Sequence, residues 1–451
     1  MGFAVPPSTD TIAAIATAPG RGGVGVIRIS GPLAVSVAEA VVGECPPPRH
    51  AAYRRFVDAH GEAIDSGLVL YFPGPASYTG EDVLELQGHG GPVVLDAVLA
   101  RVLDLGCRAA EAGEFTRRAF ENQRLDLSQA EAVADLIDAD SLAAARAAQR
   151  SLSGAFSRRI DAFRDELLSL RTWVEASIDF ADEDIDFLAD GEVARRLSIL
   201  LQHLQELRRQ TDRGRVLAEG LRVAIVGAPN VGKSSLLNVL AGHDAAIVTE
   251  IAGTTRDVLR ERVVLDGLSV LLLDTAGIRV TDDPIEQIGV QRAWATLDDA
   301  DVVLVMSGDG QPSAIETDPA FERLRGDPRL LRLHNKCDLT AGVVGLRDDG
   351  SIGLSVLQGQ GLDALIKALQ QRAGLEGGAV GEFSARRRHL DAIDRALQGL
   401  EQAEIQLKVH QAPELLAEDL ALANRVLGEI NGPVDTETLL GSIFSSFCVG
   451  K

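Results

Sequence analysis

The residues best equipped for chemistry sit in one short stretch, Gly227-Ala228-Pro229-Asn230-Val231-Gly232-Lys233-Ser234. An apolar run, Leu221 to Val226, precedes it, and a run of helical character opens at Ser235. Strand, glycine loop and helix in that order suit a phosphate chain. Successive backbone N–H groups turn toward the anion, Lys233 adds a point charge for the outer phosphates, and Ser234 offers a hydroxyl to Mg²⁺. Three further stretches follow in the order such a site requires. Asp274-Thr275-Ala276-Gly277 leaves the apolar run Ser269 to Leu273, which puts a carboxylate behind Mg²⁺ and a backbone N–H near a γ-phosphate. Asn335-Lys336-Cys337-Asp338 supplies an aspartate able to accept two hydrogen bonds from a guanine edge, where adenine would leave it unpaired. Gly253-Thr254-Thr255-Arg256-Asp257 carries a threonine set to ligate Mg²⁺ only while the γ-phosphate is present. Any one of these could be an ordinary glycine turn. All four in order predict a GTPase domain.

Hydrolysis also needs an oriented water. Ras-like GTPases use a glutamine directly after the Asp-Thr-Ala-Gly stretch, but here that position is Ile278, which cannot orient water. Glu286, in an acidic stretch with Asp282 and Asp283, either polarises water near the γ-phosphate or is an ordinary solvated charge. Asn230 either lends its side-chain oxygen to a monovalent cation beside the β–γ bridge, where an arginine finger's charge would act, or only stabilises the loop turn. Cys448, three residues from the end and near Lys451, is either an activated thiolate or a small apolar residue seating the tail. Cys337, inside the guanine motif, is expected to be inert.

These residues need elements to hold them. A chain of 451 residues with 46% hydrophobic content supports two to four domains with real cores. Its apolar runs fall short of the roughly 18–20 residues of a membrane span, and the short Thr11–Ala18 run lacks the basic leader of a signal peptide. Four scattered cysteines without a C-x-x-C pair argue for a reducing cytoplasm and against a zinc site or a disulfide frame. The net charge of −22 and 4% aromatics argue against a broad nucleic-acid platform, so an RNA substrate would require local basic patches or a partner protein.

In chain order, residues 1–120 read as mixed α/β, with strands at Val24–Ile29 and Val83–Gln87 and a helix between Pro92 and Leu105. Residues 121–218 turn helical, through the alanine-rich Ala130–Ala148 and the apolar stripes Ile160–Val174 and Val193–Leu207. Between the stripes lies an acidic loop, Asp182 to Asp190. Residues 219–376 alternate strands (221–226, 263–265, 270–273, 302–306, 330–333 and 352–354) with helices, which predicts a largely parallel sheet with ligand at the strands' carboxyl ends. Helical periodicity resumes over 377–451. The economical arrangement is one discontinuous helical domain with the GTPase module inserted into it.

The flanking stretches identify a family. Gly20-Arg21-Gly22-Gly23-Val24-Gly25, Ser77-Tyr78-Thr79-Gly80-Glu81-Asp82, Leu86 to Gly91, Gly113 to Phe120, Leu125 to Ala132 and the final Cys448-Val449-Gly450-Lys451 together resemble, from end to end, the bacterial and organellar tRNA-modification GTPases called MnmE or TrmE. The resemblance implies a tetrahydrofolate-binding-like N-terminal α/β domain, a discontinuous helical domain and an inserted Ras-like P-loop domain. It implies a homodimer working with the FAD- and NADH-using flavoprotein MnmG (GidA), which puts an aminomethyl or carboxymethylaminomethyl group on C5 of the tRNA wobble uridine. A 5-formyl- or methylene-tetrahydrofolate would supply the one-carbon unit.

Carried over to this sequence, the resemblance makes Asn230 a K⁺ ligand joined by oxygens of Thr249, Ile251 and Thr254. Ser234 and Thr255 become the Mg²⁺ ligands, and Glu286 the carboxylate that orients water through a bridging water. The loop Thr249-Glu250-Ile251-Ala252-Gly253-Thr254-Thr255 would close over GTP, alongside Val231, Gly232, Lys233, Ser235 and the base-side residues. Arg28, Glu85, Arg124 and Lys451 fall on folate-contacting positions. Without the resemblance, Arg28 and Glu85 read as an ion pair at a strand end. Arg124 stands where the family more often has lysine, which keeps the charge but not the geometry. Ser355-Val356-Leu357 departs from the usual Ser-Ala-Lys; its backbone N–H groups can still serve the guanine oxygen. The rival from another class is a non-catalytic GTP-binding switch in ribosome assembly or stress response. The charge mildly favours the rival, and the Lys451 tail and the Arg28/Glu85 pair favour the enzyme.

Overall fold

The computed structural model describes residues 10–179, 191–242, 260–274, 294–313, 319–375, 382–410, 412–432, 437–445, 447 and 450. The chain forms two compact units, one of residues 1–134, 157–164 and 425–451, the other of residues 135–156 and 165–424.

The first unit is built on a six-stranded sheet of β1 (Ile12–Ile15), β2 (Gly22–Ser30), β3 (Ala52–Val57), β4 (Ala63–Phe72), β5 (Val83–Gly90) and β6 (Arg108–Ala109), in the order β3-β4-β5-β2-β1-β6. Only β1 and β6 pair in parallel. Period-two alternation decides what each face carries. Ile27 and Ile29 turn into a core with Val69, Leu84 and Leu86, roofed by α1 (Ala34–Val42) and α2 (Pro92–Asp104) through Val37, Val41 and Val98. Gly25 lets α2 sit close, because a Cβ there would come within 2.6 Å of Leu95. Arg28 faces the opposite side, where Ile12, Ala14, Ala110 and Phe115 form a second small core with Tyr78 against it. That side is covered by α3 (Glu114–Glu121). The C-terminal helix Glu437–Ser445 packs Ile443 and Phe444 on Leu127, Ala130 and Ala134 of α4 (Leu127–Ile137), and Gly450 comes to rest against β1, where a Cβ would meet the Ile15 carbonyl at 2.5 Å.

A charged cluster fixes the start of α3. Glu114, 1% exposed, accepts from Arg108 at 2.6 Å, from Arg118 at 3.0 Å and from the Glu111 backbone at 2.8 Å. Arg118, also buried, reaches Glu81 and Asp10 at 3.1 and 2.8 Å. Glu81 also accepts from Ser30, which bonds Thr79, so the stretch 77–82 is fastened by α3 and β2 together.

The second unit holds a seven-stranded sheet of β7 (Leu221–Gly227), β8 (Arg260–Leu265), β9 (Leu268–Asp274), β10 (Val302–Gly308), β11 (Leu330–Asn335), β12 (Gly345–Leu346) and β13 (Ile352–Gly353). The order is β12-β13-β11-β10-β7-β9-β8, with five parallel central strands and an antiparallel strand at each edge. Every residue of β10 is buried, as a strand covered on both faces requires. Beside the sheet, α7 (Glu192–Glu219), the helix after α6 (Ala155–Asp179), packs against the helix Arg387–Ile405, with Leu197, Leu200 and Leu204 among its buried residues. Gly220, at φ 85°, turns α7 directly into β7, and Asp301 locks that corner by accepting from Arg215 at 2.9 Å and from the Arg222 backbone at 2.9 Å.

The alanine-rich stretch divides into α4 and α5 (Leu142–Leu152). Ser141 caps α5 by accepting from the Ala144 N–H at 3.1 Å, and Asp140 is drawn off to Arg262 of β8 at 2.9 Å. The acidic loop expected at 182–190 lies outside the described residues. Among the described residues no helix is long and apolar enough to cross a membrane.

Burial pushes the Glu114 carboxyl up, but bonds from Arg108, the Glu111 backbone and Arg118 hold it below its ordinary value. A depressed carboxylate stabilises the fold above its unfolded pKa of about 4.3 and loses that contribution as pH falls through the folded value. Urea unfolding should therefore show a falling midpoint below about pH 4. Glu114→Gln should lose about 3 kcal/mol at pH 7 and flatten that acid slope. An unchanged slope in the variant would assign the acid sensitivity elsewhere.

Candidate nucleotide and anion sites

The phosphate-binding stretch lies where β7 ends and α8 (Lys233–Gly242) begins, at the carboxyl edge of the parallel strands. Its shape depends on glycine at two points. Gly227 lies so close to the Met306 carbonyl, and Gly232 (φ 105°) so close to Asn335 Nδ2, that a Cβ at either would overlap its neighbour. Asn230 adopts a left-handed φ of 63° and is exposed. Lys233 folds over the loop, its Nζ donating to the carbonyls of Gly227 at 2.6 Å and Ala228 at 2.9 Å. Ser234 and Ser235 stand in the first turn of α8, with Ser234 exposed and its N–H groups' end of the helix facing the loop. Compact backbone, helix start and one ammonium fit a polyphosphate carrying Mg²⁺.

One buried side chain ties this loop to the base side. Asn335, 4% exposed at the end of β11, donates through Nδ2 to the Val231 carbonyl at 2.8 Å and accepts at Oδ1 from the Val356 N–H at 3.1 Å. Lys336, at φ 68°, lays its Nζ on the Asn230 carbonyl at 2.9 Å. Asp338 is exposed and takes a 2.7 Å bond from the buried Ser355 hydroxyl. Cys337 is buried. Leu357 is 88% exposed, so the position that departs from the usual lysine presents an apolar side chain to solvent. The sequence marked these residues one motif at a time; the Ser355–Asp338 bond, 17 positions apart, has no local signature.

Asp274 ends β9 opposite Ile225, with its backbone alone among the described atoms. Thr249, Glu250, Ile251, Ala252, Gly253, Thr254, Thr255, Thr275, Ala276, Gly277 and Glu286 lie outside the described residues, as do Cys448 and Lys451.

In the first unit, Arg28 and Glu85 are direct cross-strand neighbours and form an ion pair, 3.1 Å from Nε and 3.0 Å from Nη2 to Oε1. The guanidinium lies 5.5 Å from the Tyr78 ring centre and 5.8 Å from that of Phe115, within cation–π range. Gln87 donates to the second Glu85 oxygen at 3.2 Å; it was not singled out from the sequence as a site residue, although i, i+2 spacing on a strand places two residues on one face. Arg124 is exposed, and its Cγ lies against Gly80 of the same 77–82 loop that carries Tyr78. Carboxylate, two cations and an aromatic wall make a donor set that fits a flat, polar-edged heterocycle with an anionic tail.

A strand–glycine loop–helix at a parallel sheet's carboxyl edge, joined by a buried amide to an Asn-Lys-x-Asp stretch, defines a P-loop protein of the GTPase class. A family model described as "MnmE helical domain" matches residues 127–448, and one described as "GTP-binding protein TrmE N-terminus" matches residues 11–124. The chain is 52% identical to the tRNA modification GTPase MnmE of Pseudomonas syringae pv. syringae, over 98% of this chain and 99% of that one. It is 53% identical to that of Pseudomonas aeruginosa, over 98% and 99%. It is also similar to solved structures, among them the G domain of the Thermotoga maritima FeoB iron transporter, at 23% identity over 34% of this chain and 98% of that one, with a TM-score of 0.27. The chain belongs to the MnmE (TrmE) family of tRNA modification GTPases.

Gly232→Ala should weaken GDP binding roughly ten- to hundredfold, the cost of a strained left-handed residue plus displacement of the Asn335 amide. Titration with a fluorescent guanine nucleotide checks this, and retention of wild-type affinity would mean that the loop tolerates the Cβ.

Proposed function

We propose that this chain hydrolyses GTP to drive tRNA modification, attaching an aminomethyl or carboxymethylaminomethyl group to C5 of the wobble uridine together with the flavoprotein MnmG (GidA). The observation that carries the nucleotide half is the Asn335 amide, which joins the phosphate loop to the base side. Family membership over nearly the whole chain supports the tRNA half. The domains we propose are a folate-binding and dimerising domain over 1–120, a helical domain from 121–218 and 377–451, and a GTPase domain over 219–376. We place the protein in the cytoplasm as a homodimer.

At the nucleotide, Lys233 would neutralise the outer phosphates, Ser234 and Thr255 would hold Mg²⁺, and Asp338 would select guanine. Asn230, with oxygens of Thr249, Ile251 and Thr254, would hold a K⁺ ion whose charge offsets the one growing on the β–γ bridge, the task of an arginine finger elsewhere. The exposed, left-handed Asn230 supports this by presenting its side chain outside the loop. Glu286 would orient the water that Ile278 cannot. In the N-terminal domain, Glu85 would accept from pterin N–H groups while Arg28, Arg124 and Lys451 meet carbonyl or carboxylate oxygens of a tetrahydrofolate one-carbon carrier. The resting of Gly450 against β1, the strand whose Ala14 lies opposite Arg28, supports Lys451's membership of this set.

GTP turnover should be faster by at least about tenfold in K⁺ than in Na⁺, and Asn230→Ala should erase the difference; equal rates in the two salts would remove the K⁺ assignment. Mass spectrometry of tRNA from cells lacking the gene should find the wobble uridine without its C5 aminomethyl-type group, and an intact group there would overturn the proposed function.

A further inference from the structure

Asp338 is carried on a single helical turn, α9 (Cys337–Thr340), whose flanks are both left-handed non-glycine residues, Lys336 at φ 68° and Ala341 at φ 51°. A turn this short has no ladder of its own to set its tilt. A carboxylate at the end of the neighbouring strand β10 grips it. Asp309 follows β10, and its N–H donates to the Asn335 carbonyl at 2.7 Å. Its Oδ2 accepts from the Thr340 hydroxyl, and its Oδ1 accepts from Arg347 Nη2 at 2.8 Å. Arg347 also donates to the Val343 carbonyl, through Nε at 3.1 Å and Nη2 at 3.0 Å, and lies 3.3 Å from Cys337 Sγ. Gly342 closes on the same carboxylate so tightly that a Cβ there would overlap Oδ2. One carboxylate thus grips the last residue of the turn and, through Arg347, the loop that leaves it. The bonds from Thr340 and then Arg347 hold the Asp309 carboxyl below its ordinary value, so it stays ionised at neutral pH.

We infer that Asp309, with Arg347 as its counter-ion, is a positioning residue for base selection, setting the tilt at which Asp338 meets a purine bearing both an N1–H and a 2-amino group. This deepens the proposed GTP site and rests on it. A carboxylate that accepts from both groups must lie along the base edge, whereas a tilted one keeps a single bond. Hypoxanthine offers only the N1–H, so the ratio of GTP to ITP affinity reports the tilt directly, and overall affinity reports loop integrity.

The test measures binding of GTP and ITP to the full chain with Mg²⁺ present. Wild type should prefer GTP by roughly tenfold or more, the worth of one charge-assisted bond. Asp309→Ala and Arg347→Ala should bring the ratio close to one, and Asp309→Asn, which can still accept from Thr340 but turns an amide N–H₂ toward Arg347, should lower it as well. Equal binding of GTP and ITP by wild type would remove the guanine reading and this inference with it. A wild-type preference that survives in Asp309→Ala, or affinities for both nucleotides falling in parallel, would overturn this inference alone. Should Asp309→Ala fail to fold, Thr340→Val deletes only the hydroxyl and is judged by the same ratio, which must fall.

Discussion

The nucleotide cradle depends on one desolvated amide. Asn335 offers a donor and an acceptor from one planar group, and the buried Val231 carbonyl and Val356 N–H take one each. Inside a protein an unmatched partner of this kind costs more than the bond itself contributes, so both loops are held to a narrow range of positions. The sheet delivers the amide to that point. β11 runs parallel to β10 with Asn335 level with Gly308, and β10 runs parallel to β7 with Met306 level with Gly227. Glycine at 227 and 232 then follows from space as well as from positive φ, because the Met306 carbonyl and the Asn335 amide occupy the places where a Cβ would stand.

The first unit solves a different problem with charge. Glu114 and Arg118 are almost wholly buried, yet each is met by partners of opposite sign. Such a cluster is weak evidence for stability, since apolar replacements of similar volume are often neutral or better. Its evident product here is placement. It fastens Glu81, hence the 77–82 loop, hence the Tyr78 ring that flanks Arg28.

Much of the scaffold was legible because burial enforces periodicity. The strands at 24–29 and 83–87, the helix after Pro92 and the apolar run Val302–Met306 of β10 each carry their spacing openly. The phosphate loop was legible because all its motif residues lie together within eight positions, Gly227 to Ser234. The break in Ala130–Ala148 was not legible from propensity. Asp140 leaves the helix for Arg262, 122 positions away, and alanine's helical preference has no bearing on that partner. The Arg28–Glu85 pair, 57 positions apart, was expected as an ion pair at a strand end, and the β2–β5 register supplies its cross-strand geometry. Compactness also groups residues 135–156 with 165–424, an interleaving that no local composition shift announces.

The most direct measurement is GDP affinity of Asn335→Ala beside wild type, with a thermal melt of both. Loss of the amide leaves the Val231 carbonyl and the Val356 N–H buried without their partner. Affinity should fall by at least about tenfold while the cooperative melt is retained. An unchanged affinity would contradict the claim that this side chain holds the phosphate and base loops in one cradle.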